Sequence, residues 1–196
     1  MRRHLLASVI MLAGLTVLLG FGYPLLVTGI SAGLFRHQAD GSLIYRHGRL
    51  VGSALLGQNF AGPGGKPLAR YFQPRPSAAG SGYEGDSSGA SNLGPDNPVL
   101  IKLVTERAIA YRQFNGLPAG APVPVDAVTA SGSGLDPDIS VANALDQAPR
   151  VARARHLPAR QVLSLVHRYA QGRQWGFMGE PAVSVLQLNL ALDRVS

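Results

Sequence analysis

Ser87 is the residue whose immediate spacing most resembles a catalytic motif. Gly85-Asp86-Ser87-Ser88-Gly89 fits G-x-S-x-G, in which a sharp strand-to-helix turn exposes a serine hydroxyl for nucleophilic attack. The surroundings argue against that chemistry. No apolar strand precedes the motif and no helical pattern follows it, and His156 and His167, the histidines a triad would draw on, fall in helical, apolar surroundings that suit a structural role. Ser131 to Asp138 gathers hydroxyls and two carboxylates, but without the ligand spacing and terminal Glu of a calcium loop or the Gly-Lys-Ser/Thr of a phosphate loop. It reads as a capped turn. Gly64-Gly65-Lys66 stops at Pro67, so the lysine has no phosphate cradle. The histidines at 4, 37, 47, 156 and 167 include no i, i+4 pair and no metal-ligand spacing. Cysteine is absent, which excludes disulfides, thiol catalysis and thiolate metal sites. The residues designate no catalytic centre and no metal site, and a membrane-anchored serine hydrolase using Ser87 stands only as the alternative to a subunit.

The elements that would position any site begin with a stretch that no soluble domain of this size would hide. Between His4 and Arg36 no residue carries a formal charge. About 20 apolar residues cross a bilayer as a helix, so Leu5 to Phe35 is long enough, with a best span from Leu5 or Ala7 to Val27 or Thr28. Pro24 removes a backbone donor and predicts a kink near the outer end, and Tyr23 suits the headgroup level. Ala13, Gly14 and Gly20 would let another helix approach closely. A cleaved signal peptide is the competing reading, with Arg2 and Arg3 as its basic start and Ser31-Ala32-Gly33 as its cleavage site. It would leave a secreted binding module. The run is long for that, and an uncleaved anchor is preferred. Arg2 and Arg3 put the N-terminus inside, although Arg36, Arg46 and Arg49 blunt the asymmetry.

The organisation expected is a short cytoplasmic start (1–4), a transmembrane helix with its outer extension (5–35) and one extracytoplasmic α+β domain (36–196). The net charge of +7 is spread without a run of five basic residues, which argues against nucleic acid as a partner. His47-Gly48 between Ser42–Arg46 and Arg49–Ser53 predicts a β-hairpin, and Tyr71-Phe72 a short strand. Pro74 to Pro98 reads as a long polar loop, too polar to bury. Asn97-Pro98 opens a helix that Asn115-Gly116 closes. Val123–Ala130 is expected as a strand, Ser140 as the N-cap of a helix that Pro149 interrupts, and Leu157-Pro158 as the start of another, with Val162, Leu163, Leu165, Val166 and Tyr169 on its buried face. Val183–Leu192 alternates and reads as a strand, its last turn open to helix.

Several blocks resemble the C subunit of the Kdp-type potassium-transporting ATPase family. They are Gly22–Leu26, Gly52–Phe60, Tyr71-Phe72 with Arg75-Pro76-Ser77, Gly89–Gly94, Val128–Asp136 with Ile139-Ser140, Pro149–Ala152, Gly179–Pro181 and Leu188–Asp193. The resemblance covers nearly the whole chain in order. Gly62 to Leu68 departs from it as a small insertion. It implies a single-pass, non-catalytic subunit of the bacterial cell (inner) membrane, with its domain outside. That subunit assists assembly and serves as catalytic chaperone within a high-affinity potassium import complex. Its partners would be a P-type ATP-hydrolysing subunit, a channel-like potassium-translocating subunit and a small single-span subunit, with membrane lipid around them. ATP and K+ would be handled by the complex, not held as cofactors here. The chain lacks the Asp-Lys-Thr-Gly phosphorylation motif, in keeping with that role. Transmembrane packing is expected at Gly14 and Gly20, whose small size admits a neighbouring helix, and at Tyr23 and Pro24 in the matched block, and the resemblance also implies a nucleotide contact at Gln161 within Leu157-Pro158-Ala159-Arg160-Gln161. Pro158 and Arg160 stand where glycines would admit phosphate, and helix initiation at Pro158 explains that segment as well.

Overall fold

The computed structural model describes residues 1–195 and divides into two units, one spanning Met1–Val51 and one beginning at Gly52. The charge-free stretch of the first unit is helical from Leu5 to Leu34. It comprises α1 (Arg2–Val17), a π-helical turn (Leu18–Gly22) and α2 (Tyr23–Leu34), followed by a short α3 (Arg36–Ala39). Together Arg2–Leu34 is one helix long and apolar enough to cross a membrane. At about 1.5 Å per residue it is about 50 Å long, so it outreaches a hydrocarbon core of about 30 Å. Pro24 leaves its mark one turn earlier than the proline itself. The Tyr23 N–H bonds back to the Leu18 carbonyl, the wider ring of a π turn, which makes room where the proline ring would meet the Gly20 carbonyl in a regular helix. The hairpin follows as expected, β1 (Leu43–Arg46) paired with β2 (Arg49–Ser53). His47 (φ +49°) and Gly48 (φ +74°) make the left-handed turn that matches strand twist.

The second unit is α+β. α4 (Pro98–Asn115) is capped by the Asn97 side chain, which accepts the Val99 N–H, and ends at Gly116 with φ +70°. α6 (Val141–Arg155) is capped by Ser140, which accepts the Asn143 N–H, and α7 (Ala159–Tyr169) starts after Pro158. A small antiparallel sheet has the order β3-β5-β4, from β3 (Asp138–Ser140), β4 (Ala170–Gln171) and β5 (Ala182–Ser184), with Ile139 opposite Val183 and Ala170 opposite the same residue. α8 (Val185–Leu192) closes the unit. Phe72, Val151, Val162, Val166, Val183, Leu188 and Leu192 form the fully buried core between α6, α7, α8 and the sheet. The predicted buried face of α7 is correct, with Leu163 and Tyr169 half-covered at its edge.

Four expectations are corrected. Val123–Ala130 is not a strand but holds a one-turn helix, α5 (Val125–Val128). Its Asp126 carboxylate accepts the Ser140 N–H, the Ser140 hydroxyl and an Asn143 amide hydrogen, each at 2.8 Å. Those bonds fasten the segment to the start of α6 and replace a strand ladder. Val183–Leu192 is strand only to Ser184 and then α8, because both alternation classes are buried and the period-2 pattern loses its meaning. Pro149 lies inside α6 without ending it. A proline costs a helix about 3 kcal/mol, and here the flanking Ala148, Arg150, Val151 and Ala152 are all buried, so packing outweighs the lost bond. Tyr71-Phe72 is not a strand: Tyr71 lies in a bend and no strand pairs with Phe72. Instead the Asn189 amide accepts the Phe72 N–H (2.9 Å) and donates to its carbonyl (3.0 Å). The Gln147 amide does the same for Gln73, at 2.7 and 3.0 Å. Two buried side chains thus stand in for a neighbouring strand, meeting the hydrogen-bonding needs of buried backbone.

Candidate functional site

The loop after Gln73 is held by a set of polar contacts that starts at Ser77. Its hydroxyl donates to the Gly134 carbonyl (2.6 Å) and accepts the N–H groups of Ala79 (3.1 Å) and Tyr83 (2.9 Å). The Tyr83 hydroxyl turns back to the Arg75 carbonyl at 2.9 Å, and the Arg75 guanidinium pairs with Asp136 at 2.8 Å. Ser88 and the Gly89 N–H both reach the Ser133 carbonyl, and the Gly57 N–H reaches that of Leu135. Ala79 is fully buried, so this polar loop is partly interior, contrary to its composition. Blocks distant in sequence, Gly52–Phe60, Arg75–Ser77, Gly89–Gly94 and Val128–Asp136, meet here in one brace.

Two glycines make the brace possible. A Cβ on Gly57 would lie 2.5 Å from the Asp136 carbonyl oxygen, and one on Gly134, which has φ +70°, would lie 2.7 Å from both the Ala79 nitrogen and the Gly89 oxygen. Backbone atoms cannot step aside as side-chain ends do. Gly134→Ala is therefore expected to cost about 2 to 3 kcal/mol from left-handed strain plus the clash, read as a lowered urea midpoint at unchanged slope.

Electrostatics follow burial. The Tyr83 phenol is pushed up first by burial and then by Asp136. The exposed Glu84 is held low by its hydrogen bond from Ser81. Asp138 is raised, mainly by burial and further by Asp136. A carboxyl raised in the folded state is favourable when protonated, so its contribution is fully present below the unfolded pKa and is lost as pH rises through the folded value. Asp138→Asn is accordingly expected to be more stable than wild type at about pH 7, with the gain vanishing by about pH 3. Urea titrations at both pH values check this.

Ser87 sits in a turn, its N–H bonded to the Glu84 carbonyl, with neither strand before nor helix after it, and no hydrogen bond joins it to a histidine. The histidines differ from expectation. Both are exposed: His156 takes the left-handed C-cap position of α6 (φ +56°), and His167 lies in the last turn of α7. Gln161 is half-buried in the first turn of α7, its N–H bonded to the Pro158 carbonyl. Among the described residues no three of His, Asp and Glu gather as metal ligands. The sequence reading did not single out Asp126, Gln147, Arg150 or Asn189, whose roles depend on partners 14 to 117 positions away.

In the first unit, Ile10, Ala13, Gly14, Val17, Leu18 and Gly22 line a shallow apolar groove along one helix face. A Cβ on Gly14 would meet nothing within 4 Å. Gly20, Tyr23 and Pro24 lie outside the lining of that groove. No residue of α1, the π turn or α2 is buried.

One N-terminal helix long and apolar enough to cross a membrane, followed by an α+β unit whose polar side chains brace a loop, sets out a class: an α+β protein with a single candidate membrane span. The comparisons make the class specific. Residues 5–194 match the family model described as "KdpC: K+-transporting ATPase, c chain". A Mycobacterium tuberculosis (H37Rv) protein is 54% identical over the full length of both chains. One from Acidobacterium capsulatum is 50% identical over 98% of each, and one from Rhodospirillum rubrum 51% identical over 98% of this chain and 96% of its own length. All three carry the name "Potassium-transporting ATPase KdpC subunit". This chain belongs to the KdpC family, and is a non-catalytic subunit of a potassium-transporting ATPase.

Proposed function

We propose that the chain assists assembly of its ATPase complex and serves as catalytic chaperone to a P-type ATP-hydrolysing partner. The other members of the complex are a channel-like potassium-translocating subunit and a small single-span subunit. The N-terminus lies in the cytoplasm, and the domain after the helix lies outside the bacterial inner membrane. The observation that carries this reading is the helix Arg2–Leu34, charge-free over most of its length and without a buried residue. In lipid, helices associate through close packing at small residues, not through the hydrophobic effect. A groove with Gly14 and Gly22 on its floor therefore suits a neighbouring helix. Tyr23 and Pro24 set the outer end of the same segment, and Gly20 offers a second point of close approach within the π turn.

The test is to solubilise membranes of potassium-starved cells in a neutral detergent and recover the tagged chain. The expected result is co-recovery of a larger subunit that forms an acid-stable aspartyl phosphate from ATP. A chain that always purifies alone would overturn the proposal.

A further inference from the structure

β4 and β5 are joined by residues 172–181, and this loop ends in an apolar tip. Trp175 is 83% exposed, Phe177 70% and Met178 44%. Among the described residues of the second unit, Trp175 and Phe177 are the only aromatic side chains left in solvent to that degree.

The loop is nevertheless built to hold one shape. Gln174 and Met178 exchange both backbone hydrogen bonds at 2.9 Å. Across the neck the Arg173 guanidinium grips both oxygens of Glu180, at 2.7 and 2.8 Å. Trp175 (φ +50°) and Gly176 (φ +82°) turn the tip in the left-handed region, a conformation that is costly for a bulky side chain and persists where surroundings or function demand it. The two rings form a pad, with centroids 6.5 Å apart at 37°. The stalk is anchored at Val183, which is fully buried. An aromatic tip on a hydrogen-bonded turn with a charged collar at its neck has the anatomy of a binding hot spot, and a preset turn lowers the entropy cost of docking.

We propose that this knob seats Trp175 and Phe177 in an apolar pocket on another subunit of the same ATPase complex. The proposal rests on the subunit reading above. A lipid surface is the weaker occupant. Interfacial insertion uses a broad apolar face backed by excess basic charge, whereas the only basic residue of this loop, Arg173, is already paired with Glu180. A preset ring geometry adds little in a fluid layer and much in a shaped pocket.

The chain has one tryptophan and no cysteine, so both sources can be tested directly. Met178→Cys gives this chain a single thiol beside the knob. Its rate of modification by a maleimide is expected to fall at least tenfold when the tagged chain is recovered in the complex instead of alone. The Trp175→Ala, Phe177→Ala double variant is expected to keep the wild-type melting temperature while recovering at least fivefold less partner. Equal labelling rates with and without partners, or undiminished recovery, overturns the proposal. So does quenching of Trp175 fluorescence by brominated phosphatidylcholine when the chain alone is placed in nanodiscs, which assigns the tip to lipid. Absence of any complex with the wild-type chain is a different result, and overturns the subunit assembly reading itself.

Discussion

Arg150→Met is expected to lower the stability of the folded chain by about 4 kcal/mol, because it strips the donor from four acceptors inside the fold and each buried polar group left unpaired costs about 1 to 3 kcal/mol. Arg150 is 4% exposed. Its guanidinium donates to four acceptors: Asn115 Oδ1 at 2.9 Å, the carbonyls of Ala69 (2.5 Å) and Tyr71 (2.9 Å), and Gln147 Oε1 at 2.7 Å. It also stacks over the Phe114 ring, 4.2 Å from the centroid. No carboxylate is among these partners, and burial pulls the pKa down to about 10. The group is still charged at neutral pH.

Methionine would fill most of the volume and satisfy none of the acceptors. Arg150→Lys would restore the charge but not the fork, since an ammonium presents three donors from one point, and should recover less than half of the loss. Urea titrations of the detergent-solubilised chain, followed by far-ultraviolet circular dichroism, distinguish these outcomes. Losses under about 1 kcal/mol for both variants would show that the segment 69–73 is held by Asn189 and Gln147 without help from Arg150.

That network also explains where the fold was legible in the sequence. Local signals were reliable wherever one residue caps or turns its own neighbours: His47-Gly48, Asn97-Pro98, Asn115-Gly116 and Ser140 all act within four positions of themselves. They failed where distant groups took over the backbone. Phe72 and Gln73 belong to no strand, and their partners are side-chain amides of α8 and α6, which no strand pattern announces. Asp126 holds α5 against Ser140, overriding the β-branched residues around it. Pro149 was misread because helix propensity carries no information about burial on both sides. Of the sites, the membrane helix was visible as an absence of charge. The brace around Ser77 was not visible, because the need for Gly57 and Gly134 arises from chain segments that come close only after folding.

The second large effect belongs to the membrane helix, and it concerns assembly instead of stability. Gly14 lies in the groove formed with Ile10, Ala13, Val17, Leu18 and Gly22, and an added Cβ there meets nothing within 4 Å. Within this chain a larger residue is therefore harmless, and by intrinsic propensity even favourable to the helix. Only an outside neighbour could object. Gly33, which also has open space but lies outside the groove lining, provides the matched control. The decisive measurement is the amount of ATP-hydrolysing subunit recovered per tagged chain from equal quantities of membrane, comparing wild type, Gly14→Ile and Gly33→Ile. The account predicts at least a fivefold loss for Gly14→Ile with near-normal recovery for Gly33→Ile, and equal recovery from all three would contradict it.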